Sequence, residues 1–114
     1  PKRFFSSVER LCGQIRRNGA TPLLYATWPY QKNGVKLRSK GWDYDDMARK
    51  LSQAYRRAAE ENHALLADVG QRFCQLSNTQ DLYADDGVHP NERGSQIAAA
   101  TIAAVIQQHE ERNR

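Results

Sequence analysis

The sequence has few of the residues that build metal centres and disulfide frameworks. Its 114 residues include two cysteines, Cys12 and Cys74, which stand far apart and form no Cys-x-x-Cys pair. Both fall at apolar positions of predicted helices, so we expect buried thiols, although a single disulfide between them stays open. The three histidines, His63, His89 and His109, share no spacing typical of metal ligands. The sequence therefore predicts no metal site.

Long apolar runs are also absent. A helix that crosses a membrane needs about 20 consecutive apolar residues, and no run in this sequence approaches that length. The chain begins Pro1-Lys2-Arg3, without an initiator Met and without the apolar core of a signal peptide. We therefore expect no membrane span, and we expect the chain to begin within a longer sequence. The cell compartment stays open.

A concentrated basic surface is missing as well. The net charge is +4, but the basic residues are scattered over different predicted elements with acidic residues between them. A nucleic-acid-binding surface would combine a basic stripe with interleaved aromatic side chains. The sequence favours a solvated surface and no nucleic-acid partner. With 39% hydrophobic and 26% charged residues, the composition is typical of one small globular domain.

Apolar periodicity and turn residues predict an alternation of helices and strands. We predict, in order, a helix over 4–15, a strand over 21–27, a polar loop over 31–41, a helix over 43–61, a strand over 64–70, a short helix over 71–76, a turn-rich stretch over 77–81 and a helix from 92 to about 108. The first strand is a nearly continuous apolar run, as expected of a strand buried on both faces. This alternation favours an α/β fold with a parallel sheet.

Two parallel strands are too few for a stable sheet, because both would expose an unpaired edge. The long helices also carry apolar faces that need a sheet beneath them. We therefore expect that a missing N-terminal segment, or a second chain, completes the sheet.

The most informative segment runs from Asp85 to Asn91, with the sequence Asp-Asp-Gly-Val-His-Pro-Asn. It sets a carboxylate, Asp86, three residues before His89 on a turn that contains glycine. Such a turn can aim an imidazole and hold a carboxylate beside it, which is half of a nucleophilic triad. A structural interpretation is open too: Asp86 would shape the turn, Pro90 would lie in the first turn of the last helix, and Asn91 or a neighbour would cap it.

A second polar and aromatic segment follows the first predicted strand. In α/β proteins, functional residues gather beyond the carboxyl ends of the strands, and Trp28-Pro29-Tyr30 and the His89 loop both occupy such positions. Trp28 and Tyr30 would line a pocket beside His89, or else would pack the loop onto the sheet edge. We expect Trp42 to pack at the start of its helix. Asp68 closes the second strand, where it either faces the site or caps the next helix.

These segments resemble the C-terminal half of an SGNH (GDSL-like) hydrolase. The Asp86-x-x-His89-Pro90 turn, Gly94 and the alanine-rich helix after it are similar to the last sequence block of that family. Residues 13–25 resemble its helix entering a central strand, and residues 47–70 resemble a later helix–strand unit. The resemblance implies a three-layer α/β/α sandwich with a flavodoxin-like parallel sheet whose N-terminal strands are missing. Residues 1–114 would then be the C-terminal portion of a single domain.

The resemblance implies a serine-dependent acyl-ester hydrolase that needs no cofactor. His89 would be the general base and Asp86 would orient it, while Trp28 and Tyr30 would contact a small-molecule or carbohydrate ester. A carbohydrate O-acetyl esterase is the preferred subclass, and a lysophospholipase or thioesterase would present the same residues. The family's Gly-Asp-Ser block and its oxyanion-hole Gly and Asn have no counterpart here, so we expect the chain alone to be inactive. The alternative is a non-catalytic α/β binding or structural module.

Overall fold

Helices and strands alternate along residues 2–114, the part of the chain that the computed structural model describes. The helices are α1 (Lys2–Arg17), α2 (Val35–Lys40), α3 (Tyr44–Glu61), α4 (Val69–Leu76) and α5 (Glu92–Arg112), and the strands are β1 (Leu23–Ala26) and β2 (Leu65–Asp68). The two strands pair in parallel, with Leu23 opposite Leu65 and Ala26 opposite Asp68. The predicted α/β fold with a parallel sheet is confirmed. Within the described residues, no helix is both long enough and apolar enough to cross a bilayer.

Two apolar clusters hold the elements together. The first joins α1 to α3 and to the sheet, through buried Val8, Cys12 and Ala58 with Leu24 of β1 packed against them. Successive side chains of a strand point to opposite faces, so Leu24 faces this cluster and Tyr25 faces away from it. The sheet is therefore covered by α1 and α3 on the Leu24 side.

The second cluster lies at the carboxyl end of the strands and supports the loops of the candidate site. It contains Val69 and Phe73 of α4, Leu82 and Tyr83 of the following loop, and Ile97 and Ala98 of α5, with Trp28 packed against it. Phe73 and Leu82 are fully buried. The residues just before the His89 turn are thus part of the core.

Several predicted boundaries are wrong, and the predicted loop over 31–41 contains the helix α2. Glycines bound this helix, because Gly34 precedes it and Gly41 ends it in the left-handed region, with φ of 68°. The sequence did not predict α2 because the helix is polar and Leu37 is its one buried residue. Both strands are shorter than predicted, and residues 69–70 begin α4 instead of ending β2. The last helix continues to residue 112.

The first strand is not buried on both faces. Tyr25 is 38% exposed, and Leu11, Ile15 and Ile106 are also exposed on the helices. Within residues 2–114 the sheet contains only β1 and β2, so each strand has an outer edge that no described strand covers. An apolar face and an open edge fit the expectation that further strands come from outside these residues. That expectation stays a prediction here.

The cysteines and outlying histidines differ in their surroundings. Cys12 is buried, whereas Cys74 is half-buried and accepts a hydrogen bond from the Tyr44 hydroxyl at 3.3 Å. Both thiols are free, so the disulfide left open by the sequence is not formed. His63 lies exposed just beyond α3, and His109 lies in the last turn of α5.

The start of α4 lies directly on the backbone where β1 ends. A Cβ atom added at Gly70 would come within 2.1 Å of the carbonyl oxygen of Thr27 and 3.5 Å of the Cα of Trp28. Real Cβ atoms do not approach other atoms so closely, so only glycine allows this contact. The position of Trp28 therefore depends on an unsubstituted Gly70.

Replacing Gly70→Ala should force α4 away from Thr27 and destabilise the native protein by about 1–3 kcal/mol, the usual cost of overpacking. Urea unfolding would measure the change. Gly13→Ala is the matched control, because the nearest atom to its Cβ is the flexible end of Arg17 at 3.2 Å. Alanine inside α1 should be neutral or stabilise by up to about 1 kcal/mol. Equal stability of the two variants would contradict the close contact.

Candidate active site

The turn that carries His89 is organised by the carboxylate of Asp86. One oxygen, Oδ1, accepts hydrogen bonds from the backbone N–H of Val88 at 2.9 Å and of His89 at 3.0 Å. This is the way an aspartate side chain stabilises a turn by bonding to its own following backbone. Gly87 lies between Asp86 and Val88 with φ of 67°, in the left-handed region that glycine enters without steric cost. The sequence therefore selects this turn at two positions.

The other carboxylate oxygen holds the imidazole ring. Asp86 Oδ2 lies 2.5 Å from His89 Nδ1. The His89 ring, together with the two backbone N–H groups, lowers the pKa of Asp86 to about 2, so that carboxyl group is ionised at neutral pH. An ionised carboxylate only accepts, so Nδ1 is the donor of this bond, and in the neutral imidazole the lone pair is then on Nε2. The His89 side chain is 76% exposed and open to a reacting group.

The base of the turn is closed by backbone hydrogen bonds to the core segment. Tyr83 and Pro90 form an antiparallel bridge, and the N–H of Ala84 donates to the His89 carbonyl at 2.8 Å. The N–H of Asn91 donates to the carbonyl of buried Leu82 at 3.0 Å. The backbone on the two sides of the turn, residues 82–84 and 89–91, thus attaches His89 to the second apolar cluster.

The start of α5 continues this attachment. Asn91 caps the helix, because its Oδ1 accepts from the N–H of Gly94 at 2.9 Å while its Nδ2 donates to the Asp81 carbonyl at 2.9 Å. A Cβ at Gly94 would lie 2.3 Å from the Leu82 carbonyl oxygen, so this glycine permits the close approach of α5. The predicted cap at Asn91 is confirmed. The interpretation that put Pro90 in the first helical turn is wrong, since Pro90 lies before the cap in the bridge.

Three hydrogen bonds join the segment after β1 to the His89 turn and to Tyr83, which lies just before that turn. The indole N–H of Trp28 donates to the carbonyl of Val88 at 2.8 Å. The backbone N–H of Gln31 donates to the carbonyl of Gly87 at 2.8 Å, and the hydroxyl of Tyr83 donates to the carbonyl of Pro29 at 2.7 Å. The structure therefore brings the segment after β1 into direct contact with the loop between α4 and α5 that carries His89.

The two aromatic residues predicted to bind substrate have different surroundings. Trp28 is half-buried and stacks on Phe73, with ring centroids 4.6 Å apart. Tyr30 is half-buried and stacks on Trp42 at 6.0 Å, and Trp42 is 51% exposed. Trp28 turns its polar edge to the His89 turn, and Tyr30 lies next to Gln31, which contacts that turn. Substrate contact by either residue stays a prediction.

Asp68 has a structural role at the start of α4. Its carboxylate accepts from the N–H of Gln71 at 3.1 Å and lies 3.5 Å from Arg56 Nη2. This is the capping alternative left open by the sequence. A cleft of about 230 Å³ between α3 and α4 contains Asp68 and Arg56 but not His89.

Tyr83 and Gln31 are the residues of this site that sequence reasoning missed. Tyr83 lies in an isolated bridge and Gln31 acts through its backbone, so neither produces a periodic or motif signal. Only the folded chain reveals that both hold the His89 turn.

No serine of the described residues forms a hydrogen bond with the ring of His89. The serines lie on α1, on α2, on α3, at the end of α4 and on α5: Ser6, Ser7, Ser39, Ser52, Ser77 and Ser95. Among residues 2–114, the hydrogen-bond partner of the His89 ring is Asp86 and not a serine hydroxyl. The same residues contain no group of three histidine, cysteine or acidic side chains placed to hold a metal ion.

Known proteins resemble this chain in sequence and in structure. The model of the GDSL-like Lipase/Acylhydrolase family matches residues 1–97. A solved structure of a predicted SGNH hydrolase from Slackia heliotrinireducens is 39% identical and covers 93% of this chain, with a TM-score of 0.86. The chain spans 57% of the length of that structure. No curated protein matches significantly. The predicted resemblance and the α/β class are thereby confirmed.

The lowered pKa of Asp86 predicts how stability depends on pH. The ordinary pKa of an aspartate is 3.8. Between this pH and a pH of about 2, the unfolded state binds more protons at Asp86 than the folded state does, so this carboxylate makes the free energy of unfolding rise with pH. Its contribution is complete above the ordinary pKa and is lost as pH falls toward 2. In the native protein, Asp86→Asn should flatten the dependence of Tm on pH across this window.

Asp85→Asn is the matched control, because the bonds of the turn go to Asp86 and not to its neighbour. It should keep the wild-type dependence of Tm on pH. Thermal unfolding followed by circular dichroism from pH 2 to 5 measures both variants. An unchanged slope for Asp86→Asn would contradict the assigned hydrogen bonds.

Proposed function

Because this chain belongs to the GDSL-like lipase/acylhydrolase family, we propose that it supplies the general base of a serine-dependent acyl-ester hydrolase. Family membership supports ester hydrolysis as the kind of reaction. The observation that carries the residue roles is the contact between Asp86 Oδ2 and His89 Nδ1 at 2.5 Å. It leaves Nε2 as the atom that exchanges protons with the reacting groups.

In the proposed reaction, His89 Nε2 removes the proton of a serine hydroxyl while the serine oxygen attacks the ester carbonyl carbon. The imidazolium then gives this proton to the leaving alcohol as the carbon–oxygen bond breaks. A water molecule repeats the two transfers, which releases the acid and restores the serine. Asp86 stays ionised, keeps the proton on Nδ1 and stabilises the imidazolium formed in each half of the reaction.

We propose that the serine and the oxyanion hole lie outside residues 1–114, which form the C-terminal portion of one domain. Three observations support this: no described serine bonds to His89, the described sheet has only two strands, and the chain spans 57% of the SGNH structure it resembles. An N-terminal segment or a second chain would supply the further strands. A base without nucleophile and oxyanion donors gives little rate, so residues 1–114 alone should be inactive.

The proposed substrate is a small-molecule or carbohydrate ester, with a sugar O-acetyl ester preferred. Tyr30 and Trp28 support this choice, because aromatic rings at the carboxyl end of β1 suit the apolar face of a sugar. A lysophospholipid or a thioester would use the same base and orienting carboxylate.

Replacing His89→Ala in the native protein should lower kcat/KM for p-nitrophenyl acetate by at least about 10²-fold, since a general base contributes that much or more. His109→Ala is the control, because His109 lies in the last turn of α5 and contacts Asn113. It should keep wild-type activity. Full activity of the His89 variant would refute the role of this residue and favour a non-catalytic binding module.

A fluorophosphonate probe tests where the nucleophile lies. It should label the native protein at a serine outside residues 1–114, and the label should be lost in the His89→Ala variant because the serine is no longer activated. Mass spectrometry of the labelled peptides locates the site. Labelling of one of the serines within these residues would refute the proposed division of the site.

A further inference from the structure

We propose that Trp28 is a positioning residue for His89: its indole N–H fixes the peptide plane from which the imidazole projects. This inference rests on the proposed function, in which His89 is the base. The contact is a hydrogen bond of 2.8 Å from Trp28 Nε1 to the carbonyl oxygen of Val88. Trp28 thereby acts through the backbone of the turn and not on the reacting atoms.

The peptide unit between Val88 and His89 is held from both ends. Its carbonyl oxygen accepts from Trp28, and its N–H donates to Asp86 Oδ1 at 3.0 Å. A peptide unit is planar, so fixing its oxygen and its hydrogen fixes the whole plane. The direction of the His89 Cα–Cβ bond is set by this plane and by the Ala84 bond to the His89 carbonyl. Without the indole N–H, the plane would be held on the Asp86 side alone.

Trp28 is suited to this role because its own position is rigid. Its ring stacks on Phe73, which is fully buried, with an angle of 13° between the two planes. Phe73 in turn packs edge to face against Tyr83 at 5.7 Å. The backbone of Trp28 lies against Gly70 at the start of α4. The hydrogen bond therefore links the exposed His89 turn to the second apolar cluster.

Of the hydrogen bonds that join the segment after β1 to the turn, the one from the indole N–H of Trp28 can be removed by a side-chain substitution. The neighbouring bond from Gln31 to Gly87 is made by backbone atoms, so a change of the Gln31 side chain leaves its donor in place. The bond from Tyr83 to Pro29 fixes the segment after β1 but does not reach the turn itself. A Trp28 variant isolates the effect on the turn.

The first test is Trp28→Phe in the native protein, which keeps an aromatic ring on Phe73 and removes the donor. We expect kcat to fall about tenfold or more, because small displacements of catalytic groups cost this much, with KM changed less than about twofold. The NMR resonance of the His89 Nδ1 proton should shift or broaden as the ring loses its fixed position against Asp86. A merely structural role would not move this resonance.

The second test keeps the shape of the indole. In a Trp42→Phe background, benzothienylalanine at position 28 replaces the N–H by sulfur and leaves the ring system intact. It should reproduce the loss of kcat and the change in the His89 resonance at nearly unchanged Tm. Trp42→Phe itself is the matched control for the resonance, because Trp42 stacks on Tyr30 and does not bond to the turn. Its His89 signal should match the wild type.

The outcomes separate this inference from the proposed function. Wild-type kcat and an unchanged His89 resonance in both position-28 variants would overturn the positioning role, whereas an inactive His89→Ala variant would still support the reaction. A raised KM with unchanged kcat and resonance would also overturn the positioning role, and would leave Trp28 with substrate contact alone. If His89→Ala stays active, the proposed function fails, but the His89 resonance still decides whether Trp28 positions the ring.

Discussion

The candidate site depends on one carboxylate that makes three hydrogen bonds within four residues. Asp86 accepts from the N–H of Val88, from the N–H of His89 and from the ring of His89. The first two bonds shape the turn and the third orients the imidazole, so the same carboxylate builds the loop and fixes the ring. The two interpretations that the sequence left open at Asp86 are therefore not exclusive. The turn-forming role is what places the carboxylate beside the ring.

The scaffold supplies what this local motif lacks, which is a fixed position in the molecule. A turn exposed to solvent would move relative to the sheet unless the core held it. Buried Leu82 and Tyr83 hold it from one side, and the segment after β1 holds it from the other. Two glycines, Gly70 and Gly94, allow backbone segments to touch where any side chain would separate them. The exposed imidazole of His89 is thus attached to the second apolar cluster.

Much of the architecture follows from pattern, and what does not follow has a physical reason. The long helices and both strands show in the spacing of apolar residues, and the Asp86 and His89 motif shows in four letters of sequence. The helix α2 was missed because a single buried residue, Leu37, gives no periodicity. The hydrogen bond of Trp28 to Val88 was not predicted, because it requires two segments that are distant in sequence to meet. Contacts of this kind depend on tertiary packing and leave no local signal.

The separation of three residues between Asp86 and His89 has a kinetic consequence. Closing so short a loop costs little chain entropy, so this pair can form as soon as the turn does, on the timescale of local structure. The contact of Trp28 with Val88 spans 60 positions and must wait for the sheet and α4 to assemble. We therefore expect the ring to be oriented relative to its own carboxylate early in folding, and relative to the rest of the molecule late.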